Sequence, residues 1–331
     1  MIIVTGGAGF IGSAFVKKLN ENDINNILIV DNLGKSEKWK NLVGKKFIDY
    51  IHKDKFIKNL IADKYRGEIN MIIHFGACSS TTELDADYLM ENNYRYSKIL
   101  AKWAIENSIN MIYASSAATY GDGSNGFSDN NFSKVIPLNM YGYSKHLFDQ
   151  WVNENVITKY IYNEFEDESN HYLTGLKFFN VFGPNEYHKG EMSSVVYKAF
   201  NQINETGTLQ LFSSFKPDFE DGKQMRDFIY IKDVVDVVYL IMQKGITGIF
   251  NLGTGIPRTW IDLGKAVFSA MKREENIEII TMPKHLRGKY QYFTKADMSK
   301  FHKNIDFKFR TLEESIEDYI QNYLQKNNQY Y

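Results

Sequence analysis

Tyr141, Gly142, Tyr143, Ser144 and Lys145 set a phenol and an ammonium four residues apart. On a helix that spacing makes them neighbours on one face, with Cβ atoms about 5–6 Å apart. A phenol ionises near pH 10, so a tyrosine that takes a proton near neutrality needs about 4 kcal/mol from neighbouring positive charge. Lys145 is placed to give part of it. The spacing alone is weak, because the chain has 22 tyrosines and Tyr94 with Lys98 repeats it. Context separates the copies. Tyr94 falls in the helical stretch after the apolar run 71–75, whereas Tyr141 follows a further strand that ends Ala114, Ser115, Ser116, Ala117, Ala118, Thr119, Tyr120, Gly121. At the C-terminal edge of a parallel strand, Ser116 faces the ligand crevice and can hydrogen-bond a substrate hydroxyl or a developing carbonyl; a strand-end cap is its plainer role.

A second constellation is glycine-rich. Gly7, Gly9 and Gly12 fit a dinucleotide fingerprint, and Gly6 adds a wider Gly-x-x-Gly-x-x-Gly spacing. The tight turn needs backbone angles that side chains resist, the pyrophosphate must approach bare backbone, and the last glycine lets helix pack on strand. The helix N-terminus then faces the phosphates. The glycines follow an opening strand, 1–5, and start a helix, 13–20, while a second buried strand, 27–30, ends at Asp31. Asp31 suits a ribose hydroxyl and so NAD, whereas Lys35, Lys38 and Lys53 suit the 2′-phosphate of NADP. Spacing leaves both open. An oxidised nicotinamide ring would add to the positive charge near Tyr141.

The elements that must hold these groups follow from apolar periodicity. Runs at 71–75, 111–114 and 176–181, with amphipathic segments between them, predict an α/β protein with a doubly wound parallel sheet of Rossmann type. After Pro184 the texture changes, through His188, Lys189 and Gly190, a polar stretch at 204–207 and a charged loop at 215–223, which marks a second, smaller α/β lobe. Sheet-like runs return at 227–231 and 249–252 around a helical 234–242, so the lobes are interleaved. The expected division is a dinucleotide-binding domain over 1–179, rejoined by 227–250, and a substrate-binding lobe over 180–226 and 251–331. A helix at 312–324 closes the chain, and the tail beyond it is expected to fray.

Composition limits the partners. With 331 residues and a formal net charge of −1, no overall field draws the chain onto nucleic acid or anionic lipid. Hydrophobic residues at 44% and charged ones at 24% describe a folded globular chain. A single cysteine, Cys78, excludes an intrachain disulfide and fits a reducing cytoplasm. No export signal or membrane span is read, and the 7 histidines show no metal-ligand spacing, so no metal is expected.

At these residues the chain resembles the extended short-chain dehydrogenase/reductase family over nearly its whole length. Residues 76–83, 113–121, 188–190, 226–228 and 251–255 are similar to the nucleotide-sugar epimerases within it, and among those to the ones that act on an ADP-linked heptose. The resemblance implies NADP in preference to NAD, held by Gly6, Gly9, Phe10, Ile11, Gly12, Asp31, Asn32, Lys38, Lys53, Phe75, Gly76, Ala77, Cys78, Ser79, Asn92 and Val181, with Tyr141 and Lys145 at the nicotinamide end. It implies Tyr141 and Lys189 as paired acid/base groups, Lys145 on the nicotinamide ribose and Ser116 as the assisting hydroxyl. Substrate contacts implied are Ser79, Ser116, Asn180, Lys189, Glu191, Lys198, Phe212, Ser213, Ser214, Phe215, Arg226 and Tyr290. Arg226 offers forked donors suited to a diphosphate, an ion pair with Asp227 being the plainer alternative. The implied reaction inverts C6 of the heptose through a transient 6-keto sugar, in a cytoplasmic homo-oligomer, a pentamer by resemblance, serving lipopolysaccharide core biosynthesis.

The chain departs from that pattern at Glu191, where serine is common, at Lys198, where histidine is common, and in a longer segment at 158–173, read as a surface insertion. Related dehydratases follow the strand Ser/Thr with an Asp-Glu pair; Ala117 and Ala118 stand there in this chain and cannot shuttle a proton. A UDP-hexose 4-epimerase is the enzymatic alternative, and a non-catalytic NADP-binding sensor or scaffold the alternative of another class.

Overall fold

The computed structural model describes residues 1–130, 134–158, 171–284, 287, 291–326 and 329–331. Its first strand, β1 (Ile2–Thr5), is buried almost throughout, as a parallel strand covered by helices on both faces must be. Then come α1 (Phe10–Glu21), β2 (Ile27–Asp31), β3 (Asp49–His52), α2 (Lys53–Ile61) and β4 (Met71–His74). A short α3 (Ala86–Leu89) runs through a wider turn at Met90–Arg95 into α4 (Tyr96–Glu106), and β5 (Asn110–Ser116), α5 (Met140–Val152) and β6 (Leu173–Phe178) follow.

These strands, with a later β10 (Gly248–Leu252), form one seven-stranded parallel sheet in the order β10-β6-β5-β4-β1-β2-β3. Ile3 sits in register between Leu28 and Ile72, so the sheet centre is aliphatic on both sides. The strand order reverses between β1 and β4, and an open parallel sheet binds ligands in the crevice outside that switch point. The C-terminal ends of β1, β2, β4 and β5 deliver the glycine turn, Asp31, Phe75 and Ser116 to it.

The second region begins where β6 ends. Residues 176–181 read as one strand from sequence, but the chain leaves the main sheet at Phe179 and enters β7 (Asn180–Phe182) of a three-stranded sheet, β11-β9-β7. Around it lie α6 (Val195–Thr206), β8 (Leu209–Phe212), β9 (Met225–Tyr230), α7 (Ile231–Lys244), β11 (Pro257–Thr259), α8 (Trp260–Met271), β12 (Ile277–Ile280), α9 (Ser299–Asn304) and α10 (Leu312–Tyr319). Of the stretch 227–250 expected to rejoin the dinucleotide domain, β9 pairs instead with β7 and β11. The return is made by α7, which packs its buried Val234, Val235, Val238 and Ile241 against the α1 side, and by β10. Each such burial contributes roughly 1.5–3 kcal/mol.

The tail departs furthest from expectation. Instead of fraying, Gln329–Tyr331 lies against the loop that follows β7: the Asn185 side chain receives the Tyr331 N–H and donates to the Tyr331 oxygen, at 2.9 and 3.1 Å. Most of the segment expected as an insertion, 159–170, lies outside the described residues. Among the described residues no helix is long and apolar enough to cross a membrane, and no group of three or more His, Cys, Asp or Glu side chains is placed to hold a metal ion.

Candidate active site

The glycine turn is built by exclusion of side chains. Gly6 has φ +66°, and a Cβ there would lie 2.7 Å from the Gly76 nitrogen; a Cβ on Gly12 would overlap the Gly6 carbonyl oxygen. Gly9 caps α1 without a side-chain hydrogen bond, which leaves the first-turn amides to an anion. This cradle fits a dinucleotide pyrophosphate. At the end of β2, Asp31 is buried and already engaged: it accepts from the Ala8 N–H at 2.8 Å and the Asn32 N–H at 2.7 Å, and it pairs with the Lys38 ammonium at 2.7 Å. Lys53 donates to the Asn92 side chain at 3.0 Å. Gly6, Asp31, Asn32, Lys38, Lys53, Gly76, Ala77 and Asn92 all line one cavity of about 140 Å³, to which Tyr88 and Tyr96 add aromatic walls.

The reacting end is set by α5. Asn139 caps the helix by accepting from the Gly142 N–H at 2.8 Å, and Ser116 caps the short turn Ala117–Tyr120 that follows β5 by accepting from the Ala118 N–H at 3.1 Å. A Cβ on Gly142 would lie 2.6 Å from the Ala118 oxygen, so glycine at this position is what lets the helix close on the strand end and bring Tyr141 beside Ser116. Lys145 donates to the Ala114 carbonyl at 3.0 Å. One turn on, Asp149 is wholly buried, ion-paired to Lys177 of β6, and accepts from Tyr113 and Ser115 of β5 at 2.9 and 2.6 Å. The second Tyr/Lys copy, Tyr94 of the wider turn and Lys98 of α4, does form a 3.3 Å hydrogen bond, but away from the cavity lining.

Phe10, Ile11, Phe75, Ala77, Ser79, Ser116, Tyr141, Lys145, Asn180, Val181 and Lys189 converge on a cavity of about 410 Å³. Lys189 reaches it from a helical turn, Tyr187–Met192, that Gly190 kinks at φ +53°, and its ammonium stands 5.4 Å from the Phe10 ring centre. Beneath the turn the buried Glu186 accepts from the Gly183 N–H, the Ser194 hydroxyl and the Tyr319 hydroxyl at 3.2, 2.8 and 3.1 Å.

Burial governs the ionisations. It pushes the Tyr141 phenol up, against a downward pull from Ser116. It lowers the Lys145 ammonium to about 8, with Asp149 opposing, and it lowers Lys189, with Glu186 opposing. The lowered phenol expected from Lys145 is thus not a property of the protein alone: the lysine is turned to a carbonyl and desolvation dominates at the tyrosine.

Other expected residues lie further out. Gly9 and Gly12 underlie the turn. The Cys78 main chain is held by Asn93 at 2.8 and 3.0 Å. Glu191 and Lys198, the two departures from the family pattern, pair with each other at 3.3 Å on the surface. Phe212 ends β8, Ser213 donates its N–H to Ile280, and Ser214 binds Lys216, while Phe215 lies under the Arg287 guanidinium at 3.7 Å. Arg226 is buried, donates to the Met225 and Gln291 carbonyls and stacks on Trp260 at 5.4 Å; Asp227 takes the 253–255 turn and the Ala296 N–H instead of pairing with it. Tyr290 lies outside the described residues. Phe228, which falls in the matching segment 226–228, and Trp260, Gln291 and Thr294, which no motif marked, also line the large cavity.

Residues 2–253 match the model of the NAD dependent epimerase/dehydratase family. The chain is 52% identical over 328 residues to a Nitratidesulfovibrio vulgaris protein named ADP-L-glycero-D-manno-heptose-6-epimerase, with 98% of each covered. It is 46% identical to a Fusobacterium nucleatum protein of the same name, with 100% of each covered. Among solved structures it is similar to the Helicobacter pylori ADP-L-glycero-D-manno-heptose-6-epimerase, at 27% identity and a TM-score of 0.79 over 97% of this chain and 95% of that one. The Thermotoga maritima UDP-glucose 4-epimerase, at 23% identity and a TM-score of 0.77 over 97% of each, shares the fold. With the glycine cradle, the Tyr-x-x-x-Lys helix and the switch-point cavity in one frame, the chain belongs to the NAD dependent epimerase/dehydratase family.

Proposed function

We propose that this enzyme interconverts the C6 epimers of an ADP-linked heptose, ADP-D-glycero-D-manno-heptose and its L-glycero form. The observation that carries the reading is the pair Tyr141 and Lys189 reaching one cavity from separate elements, α5 and the turn after β7. Inverting a carbon that bears a hydroxyl and no acidic proton requires breaking C–H, and hydride acceptance and return is the chemistry a bound nicotinamide supplies. Burial favours the neutral form of both side chains, so the phenol holds a proton to give while the amine can take one. Oxidation of the C6 hydroxyl passes its proton to the Lys189 amine; after the 6-keto sugar turns over, the Tyr141 phenol protonates the oxygen as the C–H bond re-forms on the opposite face. Ser116 holds that oxygen, and Lys145 binds the nicotinamide ribose.

NADP is the cofactor in this reading. Lys38 and Lys53 supply two ammonium groups at the cavity that Asp31 lines, and Asp31, which accepts from two amides, is paired with Lys38, which offsets its repulsion of a 2′-phosphate. The reading also takes the enzyme to act in the cytoplasm as a homo-oligomer, to be weighed by sedimentation. Incubation with ADP-D-glycero-D-manno-heptose, followed by resolution of the C6 epimers, is the test. A growing L-glycero fraction is expected. Unchanged heptose alongside turnover of UDP-galactose would transfer the chain to the 4-epimerases, and equal affinity for NAD and NADP would remove the cofactor assignment.

A further inference from the structure

The last three residues of the sequence are tied to the loop that carries Lys189. Asn185, fully buried and at φ +79°, brackets both main-chain groups of Tyr331 with its side-chain amide, and Lys45 donates to the same Tyr331 oxygen at 2.5 Å. Two residues on, the Tyr187 hydroxyl donates to the Gln329 carbonyl at 2.6 Å, and the Tyr330 ring meets the Tyr187 ring edge-on at 5.4 Å. The far side of Tyr331 is held as well, with its ring edge-on to Tyr323 at 6.3 Å and beside the Lys232 ammonium at 5.5 Å. The same loop is tied to the dinucleotide cradle: Asn185 donates to Ser13 of α1 at 3.0 Å, and Asn41 donates to both the Ala8 and Asn185 carbonyls at 2.9 and 3.1 Å.

We infer that Gln329–Tyr331 and Asn185 form a positioning strap that fixes the Tyr187–Met192 turn, and with it the Lys189 amine, at the reacting end of the cavity. A non-glycine residue at positive φ holds its conformation only when its surroundings over-determine it. Here the amide of that residue is the clasp. The glycine at position 190 leaves the turn flexible from its own sequence, so its placement must come from outside it. Gln329, Tyr330 and Tyr331 touch neither cavity wall, which makes them positioning residues and not catalytic ones.

The inference rests on the proposed role of Lys189, and its test has a readout independent of that role. Full-length protein is compared with a chain ending at residue 328 and with Asn185→Gly, which removes the clasp while suiting the positive φ. Amide hydrogen exchange at 187–192 is expected to accelerate in both variants while exchange in the main sheet stays unchanged. A displaced acid/base group costs turnover more than binding, so kcat is expected to fall roughly tenfold with the KM for the nucleotide sugar within about twofold. Unchanged exchange at 187–192 in the truncated chain, or a kcat loss matched by a fall in Tm and by global exchange, overturns the strap. Failure of the full-length protein to epimerise the heptose would sink the proposed function, and the exchange comparison would still decide whether the strap exists.

Discussion

Replacing Asp149 by Asn removes one charge from an ion pair in which both side chains are wholly buried. Lys177 then keeps its Thr119 contact at 2.9 Å and its place beside the Tyr120 ring at 5.1 Å, but loses the Asp149 carboxylate. Breaking a buried pair from one side costs about 3–5 kcal/mol, and the Tyr113 and Ser115 hydroxyls also lose a charged acceptor. Taking about 4 kcal/mol, and an unfolding entropy of about 0.7 kcal/mol/K for a chain of this length, Tm falls by about 6 °C. Lys177→Met should cost less, about 2–3 kcal/mol, because Asp149 retains two hydroxyl donors. The double variant holds no buried charge at this site and should recover about 1–2 kcal/mol relative to Asp149→Asn. Urea unfolding of the four proteins measures the coupling. Single-variant losses that add within about 0.5 kcal/mol, or an Asp149→Asn shift below about 1 °C, would show that the pair does not hold α5 to the sheet and refute the account.

Four further outcomes are expected. Tyr141→Phe should keep the dinucleotide and the fold yet lose about 10²–10⁴ in kcat; near-normal turnover would remove the phenol from the chemistry. Lys189→Met should cripple epimerisation with Tm unchanged, whereas wild-type rates would return Lys189 to a solvated role. Gly12→Ala, whose new methyl would overlap the Gly6 carbonyl, should abolish dinucleotide binding by calorimetry; retained affinity would refute the cradle. His74, hydrogen-bonded by Thr5 and Ser97, is lowered to about 3 by burial and by Lys145. The unfolded chain therefore takes up a proton that the fold refuses once pH drops below about 6.5. That imidazole then costs about 1.4 kcal/mol per pH unit down to about 3. Tm measured against pH should be flatter in this range for His74→Gln, and an identical slope would discard the assignment.

What could be read from the sequence was local. The glycine turn, Asp31 at a strand end and Tyr141 with Lys145 are fixed by spacings of a few residues and by the strand or helix beside them. The polar supports could not be read this way, because their partners are distant in sequence: Asp149 with Lys177, Glu186 with Tyr319, and Asn185 with Tyr331. Lys177 hid inside an apolar run, where a charged residue suggests a solvent-facing position and not a buried pair. Periodicity could not show that 176–181 passes from one sheet to another, since both halves are extended and apolar. Nor could a tail of Asn, Gln and Tyr announce a docking partner, because its contacts are mostly main-chain groups and rings that carry no local pattern.

The passage of the chain through Phe179 has a mechanical consequence. Its N–H is held by the Leu252 carbonyl at 3.0 Å, with β6 in one sheet immediately before it and Asn180 of β7 in the other immediately after. The two sheets are therefore joined here through one residue whose N–H is already engaged. A clamshell opening at this junction would have to turn the backbone at Phe179 and give up its hydrogen bond to Leu252.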